Sequence, residues 1–254
     1  MPQCFVPHPC FEAVQVTVWW CPDIQCMAMD TPTVKPVRVW DLPTRLFHWA
    51  LVLCVVTSVI AAKIGGAAMA WHFRSGYVIL GLLLFRLVWG VMGGRWSRFR
   101  SFLYAPGTVL RYLKGQTQAH EHLDVGHNPL GSFSVFAIIG ILVLQVATGL
   151  VADDEIANVG PLNKFVSNAI AGLATGWHKL WGQWFIFLLV ATHIGAIVFY
   201  AVVKKKNLVK PMLDGDKQLP NDTPSSDDNL RTRLWALALA LICAACAVAV
   251  MRLG

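Results

Sequence analysis

His178-Lys179-Leu180-Trp181-Gly182-Gln183-Trp184-Phe185-Ile186-Phe187-Leu188-Leu189-Val190-Ala191-Thr192-His193 is an apolar stretch with an imidazole at each end and no ionisable side chain after Lys179. Read as a helix, it places the two histidines roughly 22 Å apart along the axis, and fifteen steps of about 100° bring the second to within about 60° of the first. Both rings then look toward the same neighbours, one near each edge of a bilayer. Histidines inside a membrane are costly and mark functional sites. Two on one face, most of a membrane apart, point to two stacked metal centres.

Composition agrees with a membrane setting. The chain is 56% hydrophobic and 14% charged, against about 25% charged residues in an average soluble domain. Apolar runs at Leu46 to Ile64, Trp71 to Met92, Leu130 to Val151, Leu180 to Val203 and Leu234 to Met251 approach the roughly 20 residues a spanning helix needs. The expected fold is all-α: a polytopic transmembrane four-helix bundle plus one additional C-terminal transmembrane helix. The expected parts are an N-terminal extension (1–34), the four-helix unit (35–210), a polar linker (211–230) and the fifth helix (231–254).

The net charge of +7 is a topology signal. Fifteen basic residues precede span one or lie in the segments joining spans two to three and four to five. Lys63, Arg74, Lys164, Lys179 and Arg252 lie on the other side, with Asp153, Asp154 and Glu155. The positive-inside rule then places the N-terminus in the cytoplasm and the C-terminus outside, as for a multi-pass protein of a bacterial inner membrane. This distribution argues against nucleic-acid binding.

The seven cysteines form no convincing site. Cys54, Cys243 and Cys246 fall within spans and read as small apolar residues. Cys4, Cys10, Cys21 and Cys26 match no zinc spacing, and the absence of a Cys-x-x-Cys-His run argues against covalent haem attachment. The first thirty residues hold no Lys or Arg, which excludes an ordinary signal peptide. A start at Met27 or Met29, or a disordered tail, is the expectation there.

Several connections are legible. Pro43 suits a first helical turn of span one, and Gly65-Gly66 joins spans one and two. Pro106 to Lys114 reads as an interfacial helix, and Leu162, Phe165, Val166, Ile170 and Leu173 as a short helix on the outer surface. Asp214 to Asn229 reads as a flexible linker. Span five, with no ionisable residue from Leu234 through Val250, reads as an extra anchor or docking helix.

Four histidines sort by depth. His48 and His193 lie toward the cytoplasmic side, and His72 and His178 toward the outer side. Each pair offers one imidazole to each face of a flat macrocycle, so two haems are the indicated cofactors. Taken singly, each is also compatible with a polar residue at the membrane edge. Zinc needs three or four close ligands, and spans one to four carry no acid for a carboxylate-bridged di-iron site.

Arg86, at depth in span two, requires an anion, and a haem propionate of the inner site would serve in a bidentate fork. Arg45 is a second candidate for the inner haem and Arg74 for the outer, with snorkelling to head groups as the alternative for both. Gly76, Gly81, Gly90, Gly140 and Gly149 allow close backbone approach to a porphyrin or to another helix. His127, before span three, is read as structural, with proton handling at a quinone site as the alternative; His120 and His122, near Glu121 and Asp124, read as solvated.

Val37-Arg38-Val39-Trp40-Asp41-Leu42-Pro43-Thr44-Arg45-Leu46-Phe47-His48-Trp49 resembles the opening signature of the prokaryotic cytochrome b561 family, which includes hydrogenase-type b cytochrome subunits. Matches follow in order at His72-Phe73-Arg74-Ser75-Gly76-Tyr77, Phe85-Arg86-Leu87-Val88-Trp89-Gly90, Gly126-His127-Asn128-Pro129-Leu130-Gly131, Thr148-Gly149-Leu150 and the His178–His193 helix. The resemblance spans roughly Val37 to Lys210. It implies a four-helix core, two non-covalent b haems with bis-histidine ligation, and ligands at His48, His72, His178 and His193. It also implies electron transfer between a quinone pool and a partner redox protein. Span five and the Cys-rich start depart from the pattern.

The expected function is therefore electron transfer, since bis-histidine iron has no open coordination position. Partners under consideration are membrane lipid, quinone or quinol, a small carrier such as a c-type cytochrome, and the catalytic subunit of a hydrogenase or related oxidoreductase. A non-redox transporter with interfacial histidines is the third reading.

Overall fold

A computed structural model describes residues 34–116, 123, 125–155, 158–220 and 222–254. The expectations for the first four cysteines, the start at Met27 or Met29, and His120, Glu121, His122 and Asp124 lie outside these residues.

Among the described residues, five helical segments are long and apolar enough to cross a membrane. Helix α1 (Leu42–Ile64) starts at Asp41, whose side chain accepts from the Thr44 amide, with Pro43 in the first turn. It turns at Gly65 and Gly66, whose φ values of 70° and 54° suit residues without a Cβ. Helix α2 (Met69–Met92) returns antiparallel and packs along α1. A short helix α3 (Pro106–Leu113), the expected interfacial segment, precedes α4 (Pro129–Val151). The Asn128 side chain caps α4 by accepting from the Gly131 amide, satisfying a backbone donor that an apolar environment would leave unpaired.

The last helix of the four-helix core is longer than its apolar run. The segment expected as a separate surface helix is α5 (Asn168–Gly176), which runs without a break through a π turn at Trp177–Trp181 into α6 (Gly182–Val202). Ser167 caps it, accepting from the Ile170 amide. Small residues such as Ala169, Ala171 and Ala174 carry the helix where hydropathy alone gives no span. An i→i+5 turn absorbs an extra residue. The interval from His178 to His193 is therefore nearer fourteen α-helical steps, which narrows their angular offset to about 40°.

One further expectation is corrected near the chain's C-terminal end. The polar stretch read as a flexible linker is structured. Helix α7 (Val209–Asp214) ends at Gly215, which has φ 94°. Strand β2 (Asp216–Pro220) then pairs antiparallel with β1 (Val34–Arg38), with Val34 opposite Pro220 and Arg38 opposite Asp216. The Gly215 carbonyl accepts from the Val39 and Trp40 amides, and a Cβ there would meet the Trp40 oxygen at 2.7 Å. Arg38 holds Asp216 at 2.7 Å and Asp228 at 2.9 Å. Asp228 also accepts from the Leu42 amide and from Arg233. Burial would raise the Asp228 pKa, but the Arg233 and Leu42 hydrogen bonds and the Arg233 and Arg38 charges hold it below the usual value. Polarity reflects pairing partners distant in sequence.

Span five, helix α8 (Leu230–Met251), packs along one side of the bundle, against α2 and at fewer points α1. Ala236, Cys243 and Ala247 are buried. A Cβ at Gly81 on α2 would lie 3.6 Å from both the Cys243 carbonyl oxygen and the Ala247 methyl. Small side chains let these two helices approach closely, which drives association in lipid.

The core reflects this arrangement. Phe47, Leu51, Ile79, Leu83, Phe85, Trp89, Ile139, Leu142, Ala236 and Cys243 form one cluster drawn from α1, α2, α4 and α8. Helix α6 contributes none of these buried residues, though its partly buried Ile186 packs against them. It packs on α4 and makes no extended backbone contact with α1 or α2; within α6 only Gly182 is buried. The four histidines meet between α1 or α2 on one side and the π turn or α6 on the other.

Candidate cofactor sites

His48, two turns into α1, faces His193 on α6 with ring centroids 6.5 Å apart. His72, in the first turn of α2, faces His178 in the π turn at 5.8 Å. The structure thus brings together both pairs expected from depth, one near each end of the bundle. An imidazole nitrogen bonds a transition metal at about 2.0–2.1 Å. Two rings on opposite sides of one ion therefore have centroids about 6 Å apart, and both pairs meet this requirement. Among the described residues, no three His, Cys, Asp or Glu side chains gather as a metal site.

The outer pair is oriented by hydrogen bonds. Nδ1 of His178 lies 2.8 Å from the Gln145 carbonyl, and Nδ1 of His72 lies 3.0 Å from the Ser58 carbonyl and hydroxyl. A carbonyl accepts only, so Nδ1 carries the proton and Nε2 keeps its lone pair. This is the arrangement by which ligating histidines are fixed in tautomer and direction. Gln145 also donates through Nε2 to the His178 carbonyl at 2.9 Å, so one side chain on α4 grips the π turn on which His178 stands.

A cavity of about 500 Å³ surrounds this pair, within the size range of small-molecule and cofactor sites. Its lining includes Val55, Phe73, Gly76, Leu142, Val146 and Ile186. Gly149 sits against the ring: a Cβ there would lie 2.7 Å from His178 Cε1. At the opposite end, Nδ1 of His48 is shielded from solvent and has no hydrogen-bond partner, a cost unless a ligand uses the ring. The paired rings, the locked Nε2 lone pairs and the apolar cavity fit a flat, apolar metal macrocycle such as haem.

The arginines have partners within the chain. Arg86 is 3% exposed, and its Nη1 donates to the Ser97 carbonyl at 2.8 Å while its guanidinium lies over the Phe99 ring. Asp41, fully buried, is an anion whose charge acts on Arg86 without a direct ion pair between them. Its carboxylate accepts from Ser97 Oγ at 2.7 Å, the Thr44 amide at 2.8 Å, the Gly94 amide at 3.1 Å and Trp89 Nε1. A buried charge needs its hydrogen bonds satisfied; four donors converge on Asp41, and Ser97 links it to Arg86. Arg45 donates to the Leu213 carbonyl at the end of α7, and Arg74 stacks on Trp71.

His127 lies between the rings of Trp40 and Phe102, at 4.6 and 4.7 Å. Desolvation, then the charges of Arg86, Lys217, His193 and His48, lower its pKa to about 3. It is a neutral packing residue at physiological pH, and Tyr104 donates to its carbonyl at 2.6 Å. Reading the sequence missed Asp41, Ser97, Ser58 and Gln145. Asp41 had a signal: an acid just before Leu42-Pro43-Thr44 is a helix cap. The other three have none, because their partners lie far away in the chain.

Residues 39–215 match the model of the family described as Prokaryotic cytochrome b561. A probable Ni/Fe-hydrogenase B-type cytochrome subunit of Cupriavidus necator is 25% identical over 215 residues, 72% of this chain and 87% of its own length. A protein of the same description from Azotobacter vinelandii is 21% identical over 231 residues, 74% and 91% of the two chains. A probable Ni/Fe-hydrogenase 1 B-type cytochrome subunit of Escherichia coli K12 is 23% identical over 222 residues, 74% and 94%. No solved structure matches the chain.

Proposed function

The chain belongs to the prokaryotic cytochrome b561 family, and from that premise we propose that it is a membrane electron-transfer protein holding two b haems, each between two histidines. The observation that carries this reading is the pairing itself: His48 with His193 at 6.5 Å and His72 with His178 at 5.8 Å, at opposite ends of one bundle. Bound haem supplies a one-electron ferric–ferrous couple tuned by its axial ligands and burial. The chain's own part is positional. His48 and His193 hold the inner group, and His72 and His178 the outer one. Ser58 and Gln145 keep Nδ1 of the outer ligands protonated and Nε2 directed across the cavity. Apolar side chains from α1, α2, α4 and α6, among them Val55, Phe73, Leu142 and Ile186, line the outer cavity.

The expected electron partners are a quinone pool and a redox protein. Membership of relatives named as Ni/Fe-hydrogenase subunits favours a catalytic hydrogenase or related oxidoreductase subunit over a small c-type carrier. In this reading the basic face, with β1, β2 and α7, is cytoplasmic, and the His72–His178 end lies toward the periplasm. Reduced-minus-oxidised absorption of the purified protein tests the redox assignment: a b-haem α-band is expected, and its absence would leave the transporter reading. Mild-detergent purification from the native membrane tests the partner. Co-elution of a metal-containing catalytic subunit supports the anchor role; elution alone, with quinol reactivity intact, supports a stand-alone cytochrome.

A further inference from the structure

Five basic residues lie at the outer end of the bundle: Lys63, Arg74, Lys164, Lys179 and Arg252. Of these, the cavity around His72 and His178 is lined by Lys63 and Lys179 alone. Lys63 stands in the last turn of α1, and its Nζ donates to Gln183 Oε1 at 3.0 Å, so it reaches across the α1–α6 side of the cavity. Lys179 follows the ligand candidate His178 in the π turn. Arg74 and Lys164 are turned onto Trp71 and Phe165 instead. Asp154 also lines the cavity, but its oxygens accept from the amide and side chain of Asn158 at 2.8 and 2.6 Å.

We propose that Lys63 and Lys179 form the clamp for the carboxylates of the outer cofactor, in the place the sequence assigned to Arg74. The proposal rests on the outer cavity being a haem site. The two cations come from different walls, α1 and the π turn, so a dicarboxylate edge between them would tie the hairpin of α1 and α2 to the last helix. A largely apolar cavity with two lysines among its lining residues suits an amphipathic ligand: a flat apolar body with two acidic groups at one edge. Lysine suits the task as a flexible point charge that can leave Gln183 and turn to a carboxylate.

The test compares Lys63→Gln/Lys179→Gln with Arg74→Gln and with His178→Ala, which identifies the outer haem. Haem content, both midpoint potentials, and the rate of haem transfer to an apo-acceptor protein are measured. The double lysine variant is expected to keep two haems, with the outer potential lowered because a cation that favours the reduced state has gone. Its outer haem should transfer about fivefold faster, the yield of two solvent-facing ion pairs. The inner haem and Arg74→Gln should match the unaltered protein. Unchanged outer haem in the lysine variant, or the same effects from Arg74→Gln, overturns the clamp. If His178→Ala loses no haem, the cavity itself has been misread and the clamp falls with it.

Discussion

Replacing Gly149 by Ala adds one methyl group beside His178. The methyl carbon would lie 2.7 Å from Cε1 and 3.0 Å from Nδ1 of that ring. Carbon contacts are comfortable at about 3.5–4.0 Å, so the ring must withdraw by roughly 0.8–1.3 Å. It cannot do so freely, because Nδ1 is tied to the Gln145 carbonyl at 2.8 Å and the backbone of the π turn is gripped by Gln145 Nε2. A displacement of about 1 Å stretches the first bond beyond useful length and changes the 5.8 Å separation from His72. Overpacking of this kind costs about 1–3 kcal/mol of stability, and misdirecting a ligand lowers metal affinity about 10- to 100-fold. The expected result is a folded protein that loses its outer haem during purification and keeps the inner one. Haem quantitation against protein concentration and a redox titration read this directly. Gly172→Ala, where a Cβ meets nothing within 4 Å, should keep both haems. Two firmly held haems with unaltered potentials in Gly149→Ala would refute the placement of His178.

Three further outcomes follow from other parts of the structure. Asp41→Ala leaves four donors without their acceptor, so thermal unfolding in detergent should show a loss of at least about 1–3 kcal/mol, with Asp41→Asn losing less. Gly81→Leu should force α8 away from α2; Cys243, 5% exposed, should then react with a maleimide that spares it in the unaltered protein. His127 is depressed to about pKa 3, below its unfolded value of about 6.5. The unfolded chain binds the proton first, so the stability this residue contributes is present above about pH 6.5 and is lost as pH falls toward 3. His127→Phe should flatten that part of the pH–stability curve, as followed by chemical unfolding between pH 4 and 8.

What could be read in the sequence divides along a physical line. Hydropathy located the spanning helices, because lipid demands an apolar exterior whatever the packing. Depth alone paired His48 with His193 and His72 with His178, because a helix converts residue number into height. Lateral information was missing. Arg86 donates to the Ser97 carbonyl, and the Ser97 hydroxyl in turn donates to Asp41, the cap of another helix. The structured stretch after Gly215 owes its shape to β1 at the other end of the chain, not to its own polar composition. The π turn at Trp177–Trp181 has no hydropathy signal, yet it sets the direction of His178. Helix α8 looked unattached because its packing uses Ala and Gly, whose small size matters only when the partner face of α2 is known.

The account stands on two separate two-histidine sites. The haem-to-chain ratio, measured with a redox titration for the unaltered protein, His178→Ala and His193→Ala, tests that most directly. Two haems with two midpoint potentials are expected for the first. Each variant should hold one haem, and the surviving potential should differ between them. A single haem in the unaltered protein, or loss of the same component in both variants, would contradict the two-site reading.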